Sequence, residues 1–373
     1  MLSTEIDRRG FLTLLAICGS WPAVARSAQA DAFASGALYL AARKNGNRFE
    51  AAVFDDKGRD QLVLPMPDRG HSFAIDQARG RAVVFGRQPG FFAVAFDVAG
   101  ARPPQALQAA AGRHFFGHGV YTANGQLMVA TENDYEAGRG VLGVYDASAR
   151  GDYRRIGEFS TGGIGPHEVV LMPDGRTLCI ANGGILTHPD YGKLELNPDS
   201  MQPSLAYVDV QTGDLVEQVF LAPQLHRLSI RHLVVDAAGA VWFGCQYTGA
   251  DEQMPPLAGR HHRGARPELF SGPDETLRSM RNYVGSLAVD STGSIIATSS
   301  PVGGRVMFWD AASGRCMGST EIFDGCGVAA SSRGGFVLSS GQGALVRATV
   351  DGKQHTIHKP VIDLAWDNHL RRI

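Results

Sequence analysis

The stretch GPHEVVLMPDGRTLCIANGG, residues 165–184, holds a histidine, an apolar run, a Pro-Asp-Gly turn and a second apolar run. Two apolar runs around such a turn predict a β-hairpin. The frame recurs as GHSFAIDQARGRAVVFG from residue 70, GHGVYTANGQLMVAT from 117 and RHLVVDAAGAVWFGCQ from 231. Aligned on their turns, six units start at His71, His118, His167, His232, Ser286 and Cys326. The turn glycine follows seven to nine residues later, at Gly80, Gly125, Gly175, Gly239, Gly293 and Gly334. A third run often ends in Asp and a turn, as in LAYVDVQTG (205–213), and a weaker fourth follows, as in LVEQVFL (215–221). Four short strands per unit, at a period of about 40–65 residues, predict the blades of a β-propeller.

The two ends of the chain set the number of blades. ALYLAAR, FEAAVFDDKG and QLVLPM near the start read as the second, third and fourth strands of a blade without its first. WDNHLRRI at the end reads as a first strand without its blade. Joining them predicts an all-β, seven-bladed propeller, its ring closed by the C-terminal strand completing the N-terminal blade. Closure of this kind removes free sheet edges. It places His369 at the repeat position, which then reads His369, His71, His118, His167, His232, Ser286, Cys326 round the ring.

Composition agrees with a globular, turn-rich chain. Hydrophobic residues make up 44%, and 46 glycines supply turns. A net charge of −2 without a basic block excludes a nucleic-acid partner. Residues 7–30, DRRGFLTLLAICGSWPAVARSAQA, carry paired Arg8 and Arg9, an apolar run and a small-residue site ending at Ala30. This predicts a twin-arginine signal peptide over residues 1–30, a propeller domain over 31–373, and export to the periplasm. The apolar run is too short to span a bilayer, Ile17 before Cys18 breaks a lipobox, and no later segment could cross a membrane. A monomer is expected. Cys179, Cys245, Cys316 and Cys326 show no CxxC spacing, so no disulfide framework is expected.

First strands line the central channel of a propeller, so residues at the repeat position should converge on its axis. Neutral histidine is the commonest metal ligand. His71, His118, His167, His232 and His369, with Cys326, are therefore the candidate metal ligands. Cu, Fe or Zn suits such donors. Taken singly, each histidine reads as a packing contact inside its own blade; five in register read as a site.

Loops after second strands should overhang the same mouth. They carry Glu132 and Asn133, then Asn182 and His188, and a long segment through residues 247–272. His261 and His262 in that segment read as solvated. Arg231 could hold an anion or pair with Asp367. Asn282 and Ser286 could face the channel, and Glu168 could orient a neighbouring histidine. Cys179 and Cys245 read as core. No GxSxG elbow, P-loop, GxGxxG or CxxCH site is present.

The set GIGPHEVVLMPDG, ANGGILTHPDYGKLELN, LSIRHLVVD, NYVGSLAVD, SSPVGGR, GCGVA and WDNHLRRI resembles the bacterial family catalogued as domain of unknown function fifteen-thirteen. The resemblance covers nearly the whole chain after residue 30. It implies a propeller similar to YVTN and WD-type repeats and twin-arginine export. It also implies genes near imelysin-like iron-regulated proteins and a di-haem oxidoreductase-like protein, hence a role in periplasmic iron or copper handling with such partners. The expected function is metal or small-ligand binding at the channel mouth, without catalysis. An interaction scaffold with structural histidines, a metal-dependent oxidoreductase and a lactonase-like hydrolase are the alternatives. A lactonase would want carboxylate and Asn ligands for Ca²⁺.

Overall fold

Residues 165–184 form the predicted hairpin: Pro166–Leu171 pairs antiparallel with Thr177–Asn182. Asp174 closes its turn by accepting from the amides of Arg176 and Thr177. Gly175 takes φ +67° there, and the other five turn glycines of the repeat are equally left-handed, between +61° and +81°. That conformation is open to glycine at little steric expense.

The computed structural model describes residues 36–373. The twin-arginine stretch, Cys18 and the cleavage site at Ala30 lie outside the described residues. Among the described residues, 28 strands, β1–β28 in chain order, form seven four-stranded antiparallel sheets. No described helix is long and apolar enough to cross a membrane. The closing blade is β28 (Leu364–Arg372), β1 (Leu38–Asn45), β2 (Arg48–Asp55) and β3 (Asp60–Met66), in that spatial order. The ring is therefore a seven-bladed propeller shut by the C-terminal strand. The other first strands are β4 (Gly70–Asp76), β8 (Arg113–Tyr121), β12 (Pro166–Leu171), β16 (Leu228–Val235), β20 (Ser286–Val289) and β24 (Gly325–Ala330).

Large side chains fill the space between blades. Trp242 and Phe243 of the fifth blade join one buried cluster with Met307 and Trp309 of the sixth. Each such side chain contributes roughly 1.5–3 kcal/mol on burial. Cys179 and Cys245 lie in this core, as expected.

Three expectations about loops need correction. Glu132, Asn133 and Asp134 are not in a loop: they end strand β9 (Leu127–Asp134), which runs straight into a tight hairpin. The long segment after the second strand of the fifth blade is not one insertion. It contains that blade's third and fourth strands, Ala258–His261 and Glu268–Phe270, leaving only 248–257 as the insertion. His261 is consequently buried, with the Tyr207 hydroxyl 2.6 Å from its Nδ1. Only His262 is exposed.

Candidate metal centre

The five histidines of the repeat meet inside the channel. Ring centres of His71 lie 4.5 Å from His369, 5.1 Å from His118 and 5.6 Å from His167. His167 is 4.9 Å from His232. His118 is 4.6 Å from His369, and His232 is 5.0 Å from His369. All five are buried, none above 8% exposure.

Bulges aim these rings inward. In each of the five blades the pairing of the first strand slips at or beside the histidine. A bulge bends the strand and turns a side chain out of the pleat. β20, which carries Ser286, pairs without a slip. Glycine makes the room: a Cβ on Gly117, whose φ is +102°, would lie 2.4 Å from Cδ2 of His71. The Thr131 hydroxyl ties neighbouring strands together, within reach of the carbonyls of His118 (3.2 Å) and His167 (3.3 Å).

Two carboxylates stand behind three of the rings. Glu168 sets Oε1 3.6 Å from Nδ1 of His118 and Oε2 3.4 Å from Nδ1 of His232. Asp367 sets Oδ1 3.6 Å from Nδ1 of His71. Arg371 holds Glu168 from its other side, and Arg69 and Arg87 hold Asp367. Burial opposes ionisation of both acids. Arg371 with His118 keeps Glu168 well below the usual range, and His71 with Arg87 does the same for Asp367. At 3.4–3.6 Å these are close electrostatic contacts, and Nδ1 of His71 and His232 makes no hydrogen bond; carboxylates on this side are what stands behind metal-bound histidines.

The imidazoles are neutral. Burial pushes His71 down to about 3 and His232 to about 4, against the pull of Asp367 and Glu168. Burial also lowers His118, and takes His167 and His369 well down, with neighbouring histidines adding to the effect on the last two. The Nε2 atoms of His118, His167, His232 and His369 are buried with no hydrogen-bond partner. His71, His118, His167 and His369 each offer a nitrogen within 4.8 Å of the others. Around an ion held at about 2.1 Å, tetrahedral nitrogens lie roughly 3.4 Å apart, so the widest of these separations must close by up to roughly 1.4 Å. His118, Glu168 and His232 form a second such group. Nitrogen donors of this kind suit Cu, Fe, Ni or Zn.

The structure does not bring Cys326 into this set. Its thiol donates to the Asp324 carbonyl at 3.1 Å, and burial raises its pKa far above the thiolate range. Ser286 is buried, its Oγ unpartnered. Arg231 does not pair with Asp367: its Nη1 lies 3.4 Å from Nδ1 of His167. Asn282 donates to the carbonyls of Gln253 and Asp251 and pins the 248–257 loop. Glu132 bonds Tyr145 and Arg155 inside its own blade. Asn182 donates to the Thr161 carbonyl and Ser204. Asn133 donates to the Thr187 carbonyl and touches His114, while His188 caps a short turn at Asp190. A surface groove lined by Leu127, Ile156 and Phe159 lies between the third and fourth blades, at the face opposite the mouth.

Sequence reasoning missed Arg69, Arg87, Arg371 and Gly117. A signal existed for two of them. Arg69 precedes His71 by two residues and Arg371 follows His369 by two, so each sits beside a histidine already singled out. Arg87 lies on a connection, where no repeat marks it.

No curated protein matches the sequence. Among solved structures, the periplasmic gluconolactonase PpgL of Pseudomonas aeruginosa aligns at TM-score 0.62 and 14% identity, over 91% of this chain and 99% of that one. Hydrazine synthase of Kuenenia stuttgartiensis aligns at 0.56 and 13%, over 84% and 90%. Streptogramin B lyase aligns at 0.55 and 11%, over 79% and 84%. At these identities the likeness is one of fold. The family described as "Protein of unknown function (DUF1513)" matches residues 64–373, and the chain belongs to it.

Proposed function

We propose that this member of the DUF1513 family is a non-catalytic metal-binding protein, whose cage of five imidazoles supplies at least three nitrogens to one Cu, Fe or Zn ion. One observation carries the reading: the rings crowd the channel axis, and the buried Nε2 atoms of His118, His232 and His369 have no hydrogen-bond partner. A buried polar group left unsatisfied costs about 1–3 kcal/mol. Three such groups cost about 3–9 kcal/mol, comparable with the whole stability of a domain. A bound ion removes that cost. Glu168 and Asp367 behind the rings are the partners metal-bound histidines use.

The proposal extends to place and partners. Arg8 and Arg9 support twin-arginine export to the periplasm. The family resemblance supports an envelope iron- or copper-handling system with imelysin-like or haem proteins. A lactonase reading is disfavoured, because the channel offers nitrogen donors and its two carboxylates are ion-paired with arginines.

The test is elemental mass spectrometry of untagged protein exported to the periplasm, beside His118→Ala/His369→Ala. About one equivalent of a transition metal, lost in the folded variant, is the expected result. A metal-free wild type that takes up no Cu, Fe or Zn on incubation contradicts it. A second reading, a docking scaffold, rests on the 183–203 loop, where Tyr191 and Leu194 are exposed. Periplasmic partner capture that depends on this loop would support it.

A further inference from the structure

His167 differs from His71, His118 and His232 in what stands behind it. An arginine, not a carboxylate, meets its Nδ1. A guanidinium only donates, so Nδ1 of His167 must accept, and the ring's single hydrogen sits on Nε2. That Nε2 is buried in the cage with no acceptor. His167 therefore presents a donor N–H to the cage. A donor aimed at a metal site is matched by an oxygen of a second ligand on the metal.

The charge around the mouth agrees. Arg231 has no carboxylate within ion-pair distance among the described residues, and its Nε has no partner. Tyr283 and Glu195 act on it only electrostatically, without an ion pair. Arg69 and Arg87 share the single carboxylate of Asp367. The 183–203 loop leans back over the mouth, where Gln88 donates to Thr187 at 3.0 Å. It brings Lys193 close enough that Arg87 and Arg69, after burial, lower its pKa. Arg69, Arg87, Lys193 and Arg231 thus outnumber Asp367 and Glu195 on a chain whose net charge is −2. Cations gathered at a mouth raise the local concentration of anions.

We propose that the site takes its metal together with a small dicarboxylate or tricarboxylate. One carboxylate oxygen accepts from Nε2 of His167 and completes the metal's coordination. A second carboxylate reaches the cations of the mouth, with Arg231 beside the first. Arginine's planar fork matches carboxylate geometry. Two anionic groups match two cationic positions: Arg231 behind His167, and the Arg69–Arg87 pair on the Asp367 that stands behind His71. The proposal rests on the metal reading above and names the ligand that shares the site.

The test is calorimetric titration of zinc-loaded and metal-free protein with succinate, acetate and phosphate, with zinc binding measured separately in carboxylate-free buffer. Zinc-loaded protein is expected to bind succinate at least tenfold tighter than acetate or phosphate. Arg231→Gln should weaken succinate tenfold or more. Lys193→Gln, at an exposed position that leaves the blades untouched, should weaken it several-fold while zinc affinity stays within threefold. Succinate binding that neither variant weakens overturns the anion site and leaves the metal reading standing. Phosphate binding as tight as succinate overturns the carboxylate assignment. Protein that takes no zinc fails the metal reading itself, and its succinate titration then decides the anion receptor alone.

Discussion

His232 and His369 stand 5.0 Å apart, ring centre to ring centre, although their blades face one another across the channel. Propeller channels are usually too wide for opposed side chains to meet. Here bulges on the first strands bring them together, and the axis is filled by imidazole.

The carboxylates behind the rings should matter nearly as much as the rings. Glu168 faces Nδ1 of both His118 and His232. Glu168→Gln is expected to lower metal affinity about 10–100-fold, and Asp367→Asn similarly. Chelator competition on folded protein checks both. Unchanged affinity in each would separate the carboxylates from metal binding.

Gly117 holds open the space that His71 occupies. Its φ is +102°, and a Cβ there would lie 2.4 Å from the His71 ring. Gly117→Ala combines backbone strain with overpacking, about 2–5 kcal/mol in sum. Denaturant unfolding reads the loss. The surviving folded fraction should bind metal more weakly, because His71 is displaced.

Metal-free protein should be acid-labile. His71 is held down to about 3, and His232 and His114 to about 4, chiefly by burial. Each lies below its unfolded value near 6.5. Above pH 6.5 neither state binds the extra proton and stability is full. As pH falls, the unfolded chain takes up protons that the native rings refuse, and stability drops. Each of the three contributes about 2 kcal/mol of loss between pH 6.5 and 4.5. Glu168 and Asp367, held low, add to the loss below their unfolded values. Urea midpoints measured across this range should fall steadily; a flat profile would contradict neutral buried imidazoles.

Ring closure makes a further prediction. β28 supplies both the inner strand of the closing blade and His369. Deleting residues 364–373 exposes the edge of β1 and removes Trp366 and Leu370 from the core. Light scattering should show aggregation, where wild type remains dispersed.

The ring of blades was legible because each repeats one pattern: apolar run, Asp or Gly turn, apolar run. The convergence of His71, His118, His167, His232 and His369 followed from register alone. Their detailed aim did not, because a bulge depends on a slip in pairing that no local residue announces. Cys326 shared the register, yet its thiol turned to the Asp324 carbonyl. His261 looked solvated because it sits in a polar stretch. Its strand was hidden by Gly259 and the charged neighbours Arg260 and Arg263; Tyr207 meets its Nδ1 from another blade, and the Ala265 carbonyl meets its Nε2. Arg231 was picked out as a cation with the wrong partner, since Asp367 had nearer arginines that sequence spacing could not rank.

The central claim is a metal ion held by imidazole on the propeller axis. Anomalous diffraction from metal-loaded crystals, recorded at the absorption edge of the bound element, tests it most directly. The account predicts one strong peak among the rings, about 2.0–2.3 Å from nitrogens of at least three of the five histidines. A peak elsewhere on the protein, or none in crystals of protein that carries stoichiometric metal, would contradict it.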